Sequence, residues 1–465
     1  MNTRYSCILI YWLSGYSGVV AAESLGENDA LTVVQPSADQ ESAQENTQES
    51  TQKSAQASSD DLWGEDDWGE DEEQTSPWQF SGFAEVGLGQ FTRDNVTNSQ
   101  QSMSELRGQL DTNYSGDWFT FNGKGDLLVD EVLEETDYDI RELNFAINVL
   151  DSTDFIIGRQ VITWGTGDYL FLNDLFAKDW QSFFAGRDDI YLKAPNDAVR
   201  VLHYLGDVTL DFVYSPQFTA DKYFTGERFS FFSPFEQTIV APDNFPVVTT
   251  ESEQYSLRLA TTINSVEYAL YGYKGFWTSP AGVLTQAPNF GKSYFPKLNS
   301  YGASVRTPAF GGLFNSEIVV YNSIEDNNGS DPFIANDQVR LLLGYERELA
   351  SDMTGAFQFY IEHTQNYQAL KSTAVAPDTL VDKNRQVFTF RLTHLSFQQT
   401  LTSSLFVFYS PTDKDAFIRP SIAYRYDDNW KFSSGANIFI GEKNYTFFGQ
   451  HEDNSNLWLR VRYSY

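Results

Sequence analysis

Apolar and polar residues alternate with a period of two along most of the chain from residue 78 onward. At the C-terminal end, Leu457, Leu459 and Val461 alternate with the polar residues Arg460 and Arg462. Successive side chains of a β-strand point to opposite faces, so this period places apolar groups on one face and polar groups on the other. The pattern therefore predicts β-strands. After residue 22, no apolar run approaches the roughly 18 residues that a membrane-spanning helix needs.

The alternating segments are about 10 residues long, the length that a tilted strand needs to cross the hydrocarbon layer of a membrane. Strands of soluble sandwiches are shorter, with about 5 or 6 residues. We predict strands near residues 78–92, 102–114, 117–131, 137–150, 153–163, 197–205, 207–216, 252–263, 265–277, 297–308, 312–323, 336–348, 352–365, 385–396, 400–410, 415–426, 429–441 and 454–465. The fold is thus predicted to be all-β, a closed antiparallel transmembrane β-barrel of about 18 strands. A count of about 16 remains open, because residues 164–206 are difficult to divide into strands.

The predicted strands are joined alternately by short and long segments. Residues 115–116, 264 and 427–428 form tight turns. The long connections between them include residues 164–196, 217–251, 278–296 and 366–384. Short periplasmic turns and long outer loops are typical of bacterial membrane barrels, so we expect both ends of the barrel domain on the periplasmic side.

The N-terminal residues have the pattern of a secretory signal peptide. Arg4 provides a positive charge, an apolar stretch follows, and Val20 and Ala22 provide the small residues of a cleavage site. We therefore predict export, with cleavage near Ala22. The domain organisation is predicted as a signal peptide over 1–22, a disordered acidic periplasmic segment over 23–77 and a barrel over 78–465.

The segment over 23–77 is poor in apolar residues and strongly acidic. It holds 16 acidic residues and one basic residue, Lys53, and so carries almost half of the formal net charge of −33. Such a composition cannot bury enough surface to fold, which predicts disorder. The unit Trp-Gly-Glu-Asp occurs twice, at Trp63 and Trp68. This part is either a solvated acidic run or a docking peptide for a periplasmic partner protein.

Composition excludes several kinds of chemistry. The single cysteine, Cys7, lies in the predicted signal peptide, so the mature chain offers neither a disulfide nor a thiolate metal site. The four histidines are scattered: His203, His363, His394 and His451. We expect no metal, no cofactor and no catalysed reaction. A nucleic-acid partner is disfavoured because phosphate binding needs clustered Lys and Arg.

Basic residues recur on the polar face of the predicted strands, which faces the lumen if the apolar face contacts lipid. These residues are Arg258, Arg340, Arg391, Arg419, Arg425, Lys431, Arg460 and Arg462. Those on the last three strands are expected to line one basic wall. The alternative is an ordinary solvated interior in which each cation pairs with a local carboxylate.

The long segment after the fifth predicted strand is too apolar to lie in solvent. Leu170, Leu172, Trp180, Phe183 and Phe184 all need burial. We expect this loop to fold into the lumen and to present its acids to the pore: Asp168, Asp174, Asp179, Asp188 and Asp189. The arrangement resembles the constriction loop of general porins, which implies a transverse field between loop acids and basic wall residues.

A short motif after the fifth predicted strand begins adds a further resemblance. Residues 158–165, which include Gly158, Arg159, Gln160, Trp164 and Gly165, resemble the Gly-Arg-Gln-x-x-x-Trp-Gly stretch of a poorly characterised group of proteobacterial outer-membrane barrels. The chain departs from that group after the motif, where Asn-Pro-Arg-Asp is usual. A simpler interpretation makes Trp164 an interfacial belt residue at a strand end.

The aromatic C-terminus, with Tyr463 and Tyr465, resembles the signal that the barrel-assembly machinery reads. Together these features predict a porin-like channel in the outer membrane, surrounded by lipid, that passes small polar or charged solutes. Two alternatives stay open. The chain could be the barrel of a larger export or assembly complex recruited through its acidic segment, or an outer-membrane lipid hydrolase, for which no convergent Ser, His and acid set is evident.

Overall fold

The structure is a computed structural model that describes residues 76–168, 170–233, 237–242 and 245–465. The predicted signal peptide lies outside these residues, as do its cleavage site at Ala22 and the acidic segment up to residue 75, which includes Trp63 and Trp68. The fold and every site below therefore concern the region that begins just before the first predicted strand.

Eighteen long strands form one sheet. They are β1 (Trp78–Phe91), β2 (Gln101–Ser115), β3 (Phe119–Asp130), β4 (Glu135–Leu150), β5 (Thr153–Gln160), β6 (Asn196–Leu205), β7 (Val208–Ser215), β8 (Gln254–Ile263), β9 (Val266–Phe276), β10 (Lys297–Ala309), β11 (Gly312–Ser323), β12 (Gln338–Ala350), β13 (Met353–Thr364), β14 (Asn384–Ser396), β15 (Leu401–Ser410), β16 (Asp415–Arg425), β17 (Trp430–Gly441) and β18 (Asn456–Ser464).

The sheet closes on itself. Each strand pairs antiparallel with the next one in the chain, and β1 pairs antiparallel with β18, where Phe83 lies opposite Ser464 and Phe91 lies opposite Asn456. Closure leaves no strand edge unpaired, as a sheet surrounded by lipid requires. The predicted closed antiparallel barrel is confirmed, with 18 strands rather than 16.

The outer face of the barrel is apolar and exposed. Leu343, Phe357 and Phe390 lie on neighbouring strands and are each 39% to 49% exposed, although a soluble protein would bury such residues. Their neighbours on the other face, such as Leu342 and Tyr360, are fully buried. The alternation therefore separates an outer face that suits lipid from an inner face that packs inside the barrel.

The connections differ strongly between the two ends of the barrel. At the end that holds Trp78 and Ser464, turns such as 151–152, 206–207 and 264–265 are short. At the other end, long loops contain helices and small strand pairs: α1 (Trp180–Ala185), α2 (Tyr367–Thr373), three 3₁₀ turns (Asp189–Leu192, Pro377–Thr379 and Gly449–Asn454) and short strands at Phe231–Ser233, Thr238–Val240, Val247–Val248, Gly282–Val283 and Ser293–Tyr294. In the described residues, no helix has the length and apolar character of a membrane span.

Candidate functional site

The connection between β5 and β6, residues 161–195, is called the inner loop here and is described except at residue 169. Its apolar side chains are removed from solvent: Leu170, Leu172 and Phe183 are each 1% exposed, and Phe184 is 0% exposed. They belong to one hydrophobic cluster with side chains of the barrel wall, such as Tyr321 of β11 and Phe439 of β17. The inner loop is therefore packed inside the barrel.

Trp164 fixes the beginning of the inner loop. Its Nε1 donates a 2.9 Å hydrogen bond to Asp211 of β7, which also pairs with Arg200 of β6 at 2.6 Å. The indole packs edge-on against Phe176, with 5.0 Å between ring centroids. Trp164 is 8% exposed and contacts lumen residues, so its interpretation as an interfacial belt residue is wrong.

The other residues of the Gly-Arg-Gln motif have separate positions. Gly158 has φ +123°, and a Cβ there would meet the carbonyl oxygen of Leu143 at 2.2 Å, so the position requires glycine. Gly165 also has a positive φ, of +88°. Gln160 donates to the carbonyl of Ala198 at 3.3 Å. Arg159 lies opposite Leu143, which is exposed on the outer face. The Arg159 guanidinium pairs with Asp197 at 3.0 Å.

Glu317 of β11 holds the next part of the inner loop, and the sequence analysis missed it. Its carboxylate, on a residue 1% exposed, accepts hydrogen bonds from the backbone N–H groups of Thr166 and Gly167 and, at 2.7 Å, from Asn173 Nδ2. Four residues along β11, Tyr321 donates its hydroxyl to the carbonyl of Leu172 at 2.6 Å. A carboxylate on the inner face of an apolar strand was the available signal.

Asp168 contacts Arg391 of β14 at 2.6 Å, and Arg391 also pairs with Glu346 of β12. Burial raises the pKa of Asp168 to about 6, although Arg391 favours its ionised form. This predicted loop acid and this predicted wall cation therefore meet directly, and the pair ties the inner loop to β14.

Asp174 and Asp179 face the interior of the inner loop. Asp174 accepts from Thr163 at 2.8 Å and pairs with Lys178 at 3.0 Å. Asp179 is the N-cap of α1, where its side chain accepts from Ser182 N at 2.7 Å, and it lies 3.5 Å from Lys222. These two acids stabilise the fold of the loop, which differs from the expectation that they are presented to a pore.

Asp188 and Asp189 contact the basic residues of the last strands. Asp188 lies 3.3 Å from Arg460 and 3.0 Å from Arg462, and Glu85 of β1 pairs with the same two arginines. Burial alone raises the pKa of Asp188, but the two guanidinium groups outweigh it and hold this pKa well below its usual range. Asp189 pairs with Arg419 of β16 at 2.5 Å.

A buried charge junction that the sequence analysis missed follows α1. Arg187 pairs with Glu105 of β2 at 2.6 Å and with Asp130 of β3 at 3.1 Å. Arg228, from the loop after β7, contacts the same two carboxylates. All four side chains are at most 11% exposed. Pairing of this kind offsets the large cost of burying single charges.

Tyr191 closes this side of the inner loop. Its ring lies under the guanidinium groups of Arg107, at 4.0 Å, and Arg141, at 4.7 Å, and its hydroxyl accepts from Gln109 at 3.2 Å. Arg107 also pairs with Asp126 at 2.6 Å. Stacked and hydrogen-bonded contacts of this type fix the ring against β2 and β4.

The inner wall therefore has two parts with different chemistry. The charged arc comprises β18 and β1 to β4 and carries Arg460, Arg462, Glu85, Glu105, Arg107, Asp126, Asp130 and Arg141. The apolar arc comprises β11 to β17 and carries Tyr321, Leu342, Tyr360, Val387, Phe406, Phe408, Phe417 and Phe439. The inner loop contacts both arcs: its aromatic residues pack on the apolar arc, where Asp168 and Asp189 also pair with Arg391 and Arg419, and its contacts with the charged arc are mostly ion pairs.

The remaining predicted wall cations are placed as follows. Arg258 pairs with Glu267 at 3.0 Å, and Arg340 lies 3.3 Å from Glu362 and stacks over Tyr321. Arg425 and Lys431 lie directly opposite each other on β16 and β17. Over the ranges that the structure describes, neither side chain has a carboxylate within 4.0 Å.

The histidines and the C-terminal tyrosines complete the predicted set. His451 is fully buried, and burial lowers its pKa to about 3. The described ranges contain no group of three His, Cys, Asp or Glu side chains placed to hold a metal ion. Tyr463 packs against Trp430, with 5.0 Å between ring centroids, and the backbone N–H of Tyr465 donates to the carbonyl of Gly82 at 3.0 Å.

The chain matches no family model, and no curated protein matches it. Among solved structures, OccAB3 of Acinetobacter baumannii is similar with a TM-score of 0.51 and 10% identity, over 83% of this chain and 99% of that chain. OccK5 (OpdH) of Pseudomonas aeruginosa is similar with a TM-score of 0.50 and 9% identity, over 83% and 97%. These neighbours are bacterial outer-membrane barrels, so the chain has the outer-membrane β-barrel fold.

Proposed function

We propose that the chain is an outer-membrane channel that passes small polar solutes and catalyses no reaction. The observation that carries the proposal is the inner loop, which crosses the interior of an 18-stranded barrel and contacts both arcs of its wall. A loop in this position narrows the lumen and sets which side chains a solute passes. Such a barrel otherwise has an interior wide enough for solutes.

Among the residues predicted to line the pore, those that have no oppositely charged side chain of the described residues within 4.0 Å are basic, which favours anions. Each of the five predicted loop acids lies within 4.0 Å of a basic side chain: Asp168, Asp174, Asp179, Asp188 and Asp189. Arg425 and Lys431, in contrast, place two cations side by side on the inner face at the short-turn end. We infer that this end attracts negatively charged solutes, because opposite charges raise the local solute concentration.

The same proposal includes the location and the assembly route. An apolar outer face, with exposed groups such as Leu343 and Phe357, suits the hydrocarbon of a bilayer. The export signal and the aromatic C-terminus at Tyr463 and Tyr465 support delivery to the outer membrane through the barrel-assembly machinery. Both termini of the barrel then lie on the periplasmic side.

Single-channel recording tests the proposal. Residues 23–465 are refolded and inserted into a planar bilayer, and the reversal potential is measured under a KCl gradient. We expect discrete open steps with a preference for chloride. A folded barrel that stays silent, or a clear preference for potassium, would contradict the channel or its charge selectivity respectively.

Shortening the inner loop tests whether this loop narrows the proposed pore. Deleting Gly167 to Arg187 removes the part of the loop that contacts the apolar arc and the charge junction. We expect a larger single-channel conductance because the loop occupies space inside the barrel. An unchanged conductance would place the solute pathway elsewhere.

A second candidate function is the outer-membrane barrel of a larger export or assembly complex. The repeated Trp-Gly-Glu-Asp unit at Trp63 and Trp68 favours it, because tryptophans within an acidic sequence suit recognition by a periplasmic protein. Deleting residues 23–76 should remove a partner in a pull-down while conductance persists. If the deletion leaves the set of captured proteins unchanged, this second function is wrong.

A further inference from the structure

Asp221 lies where three loops meet. It belongs to the outer strap, defined as residues 216–233, the described part of the chain that directly follows β7. The other two segments are the inner loop and the third loop, residues 277–296 between β9 and β10. Asp221 is 5% exposed, so a wrongly paired carboxylate would be costly at this position.

Four hydrogen-bond donors from two other loops surround this carboxylate. Lys178 N, at 2.8 Å, and Trp180 Nε1, at 3.2 Å, come from the inner loop. Thr278 Oγ1, at 2.9 Å, and Ser279 Oγ, at 2.7 Å, come from the third loop. Lys178 N bonds Oδ1 and the other three donors share Oδ2, so both carboxylate oxygens of Asp221 are hydrogen-bonded by groups from outside its own loop.

Backbone hydrogen bonds reinforce the same junction. Lys222 N donates to the carbonyl of Lys178 at 2.8 Å, and Trp180 N donates to the carbonyl of Lys222 at 3.1 Å. Asp221 N donates to the carbonyl of Thr278 at 2.9 Å. The outer strap therefore lies between the inner loop and the third loop and is hydrogen-bonded to both.

The junction leads directly to the constriction. Trp180 is the first residue of α1, and the carbonyl of Phe184 near its end accepts from Asn437 and Asn456 of the barrel wall. The residues after α1 are Arg187 and Asp188, which make the buried ion pairs of the charged arc. A shift of Trp180 must therefore move α1 and change these contacts.

The third loop reaches the outside of the protein. Residues 285–288 are exposed, and Phe290 is 46% exposed. The other end of this loop, near Ala281, is buried, and the carbonyl of Ala281 accepts from Ala335 N at 3.0 Å. The loop thus connects an outward tip with the side chains that hold Asp221.

We propose that Asp221 is the coupling point of a gate, in which the third loop, the outer strap and the inner loop open and close as one unit. Displacing the third loop at its exposed tip removes two donors from Asp221 and loosens the inner loop through Trp180. The consequence for solute flow rests on the proposed channel function, whereas the coupling of the three loops does not.

Hydrogen exchange measured by mass spectrometry on refolded residues 23–465 tests the coupling without any need for conduction. The informative variant is Thr278→Val with Ser279→Ala, because both side chains donate their hydrogen bonds to Asp221 and not to a residue of the inner loop. We expect exchange in the inner-loop peptide 178–192 to rise about tenfold, as loss of one or two buried hydrogen bonds predicts. Faster exchange confined to the third loop would overturn the proposal.

Two matched variants complete the design. Thr225→Val removes a hydrogen bond within the outer strap, from Thr225 to Glu227, and we expect no change in the inner loop. Ala281→Cys with Ala335→Cys fixes the third loop by a disulfide, which is unique because the only cysteine of the chain is Cys7. We expect slower exchange in the inner loop, reversed by reductant, and unchanged exchange there would also overturn the coupling.

Conductance recorded on the same variants separates the two proposals. If the Thr278→Val, Ser279→Ala variant shows faster inner-loop exchange and longer open times, the gate and the channel are both supported. If exchange responds but no variant conducts, the channel is wrong and the coupling stands. If the protein conducts but substitutions in the third loop leave inner-loop exchange unchanged, the coupling is wrong and the channel stands.

Discussion

The two arcs of the barrel wall hold one loop by different physical means. On the charged arc, Arg187 and Asp188 pair with side chains of β2, β3 and β18, and each pair is directional and nearly removed from water. On the apolar arc, Phe183 and Phe184 pack against Phe417 and Phe439, where contacts can adjust by small shifts. The charged arc should therefore set the position of the loop, and the apolar arc should supply most of its burial energy.

Aromatic burial and buried ion pairs also differ in how much they contribute to the free energy of folding. A buried aromatic side chain contributes about 1.5 to 3 kcal/mol through loss of water contact, and several together stabilise the loop without fixing its register. A buried ion pair contributes little net stability, but removal of one partner costs about 3 to 5 kcal/mol because a buried charge remains. The two arcs should thus respond to substitution in different ways.

The largest effect is expected from Arg187→Met on the charged arc. The change leaves Glu105 and Asp130 buried with Arg228 and, 3.9 Å from Glu105, Arg107, so we expect local opening of the inner loop to become about 3 kcal/mol easier, measured by hydrogen exchange. Arg93→Met is the control, because its pair with Glu452 is exposed and should contribute about 0 to 1 kcal/mol. Equal effects of the two changes would remove the distinction between buried and exposed pairs.

A smaller effect is expected from Glu317→Gln, a buried polar residue on the apolar arc. The amide keeps the size of the side chain, but its NH₂ group replaces one carboxylate oxygen and so faces either the N–H of Gly167 or the amide of Asn173. We expect the inner loop to open about 1 to 3 kcal/mol more easily. Glu325→Gln, at an exposed outer-loop site, serves as control, and an indistinguishable exchange rate in both variants would contradict the role given to Glu317.

A packing change on the apolar arc should cost less. Phe417 stacks on Phe439 with 4.5 Å between ring centroids, and Phe417→Leu removes this stacking while it keeps most of the apolar volume. We expect a loss of about 1 to 2 kcal/mol in loop stability with unchanged ion selectivity. A shift in reversal potential would show that the apolar arc also positions the charges.

The smallest effect on stability, and the clearest effect on selectivity, is expected from Arg425→Gln with Lys431→Gln. Like charges opposite each other destabilise a strand pair, so their removal should change stability by less than about 1 kcal/mol. Chloride preference should fall by about twofold, measured as reversal potential. Lys414→Gln, in an exposed pair with Glu442 at the opposite end, should leave the chloride preference intact. An equal fall in chloride preference would show that Arg425 and Lys431 have no special role.

The sequence predicted the strands well because one physical rule governs most of them. The outward side of each strand must be apolar, so apolar residues recur at every second position whichever register the strands adopt. The burial of the inner loop followed from its own content of Leu, Phe and Trp. These predictions depended on local composition and needed no knowledge of which strands meet across the lumen.

Other features depend on contacts between distant parts of the chain. Glu105 and Asp130 gave no signal in the sequence, because their partners Arg187 and Arg228 lie far along the chain and on two separate loops. The apolar arc was hidden for a different reason. Around Phe406 and Phe408, apolar residues occupy both faces of β15, so the alternation that identifies an inner face is lost there.

The closure of β1 on β18 has a consequence for the order of assembly. The inner loop follows β5, yet its partners Arg419, Arg460 and Arg462 belong to strands made last. The loop therefore cannot reach its final contacts until the C-terminal strands have joined the barrel. Seating of the inner loop is thus a late folding event, and a barrel that stalls before closure would expose Phe183 and Phe184 and become prone to aggregation.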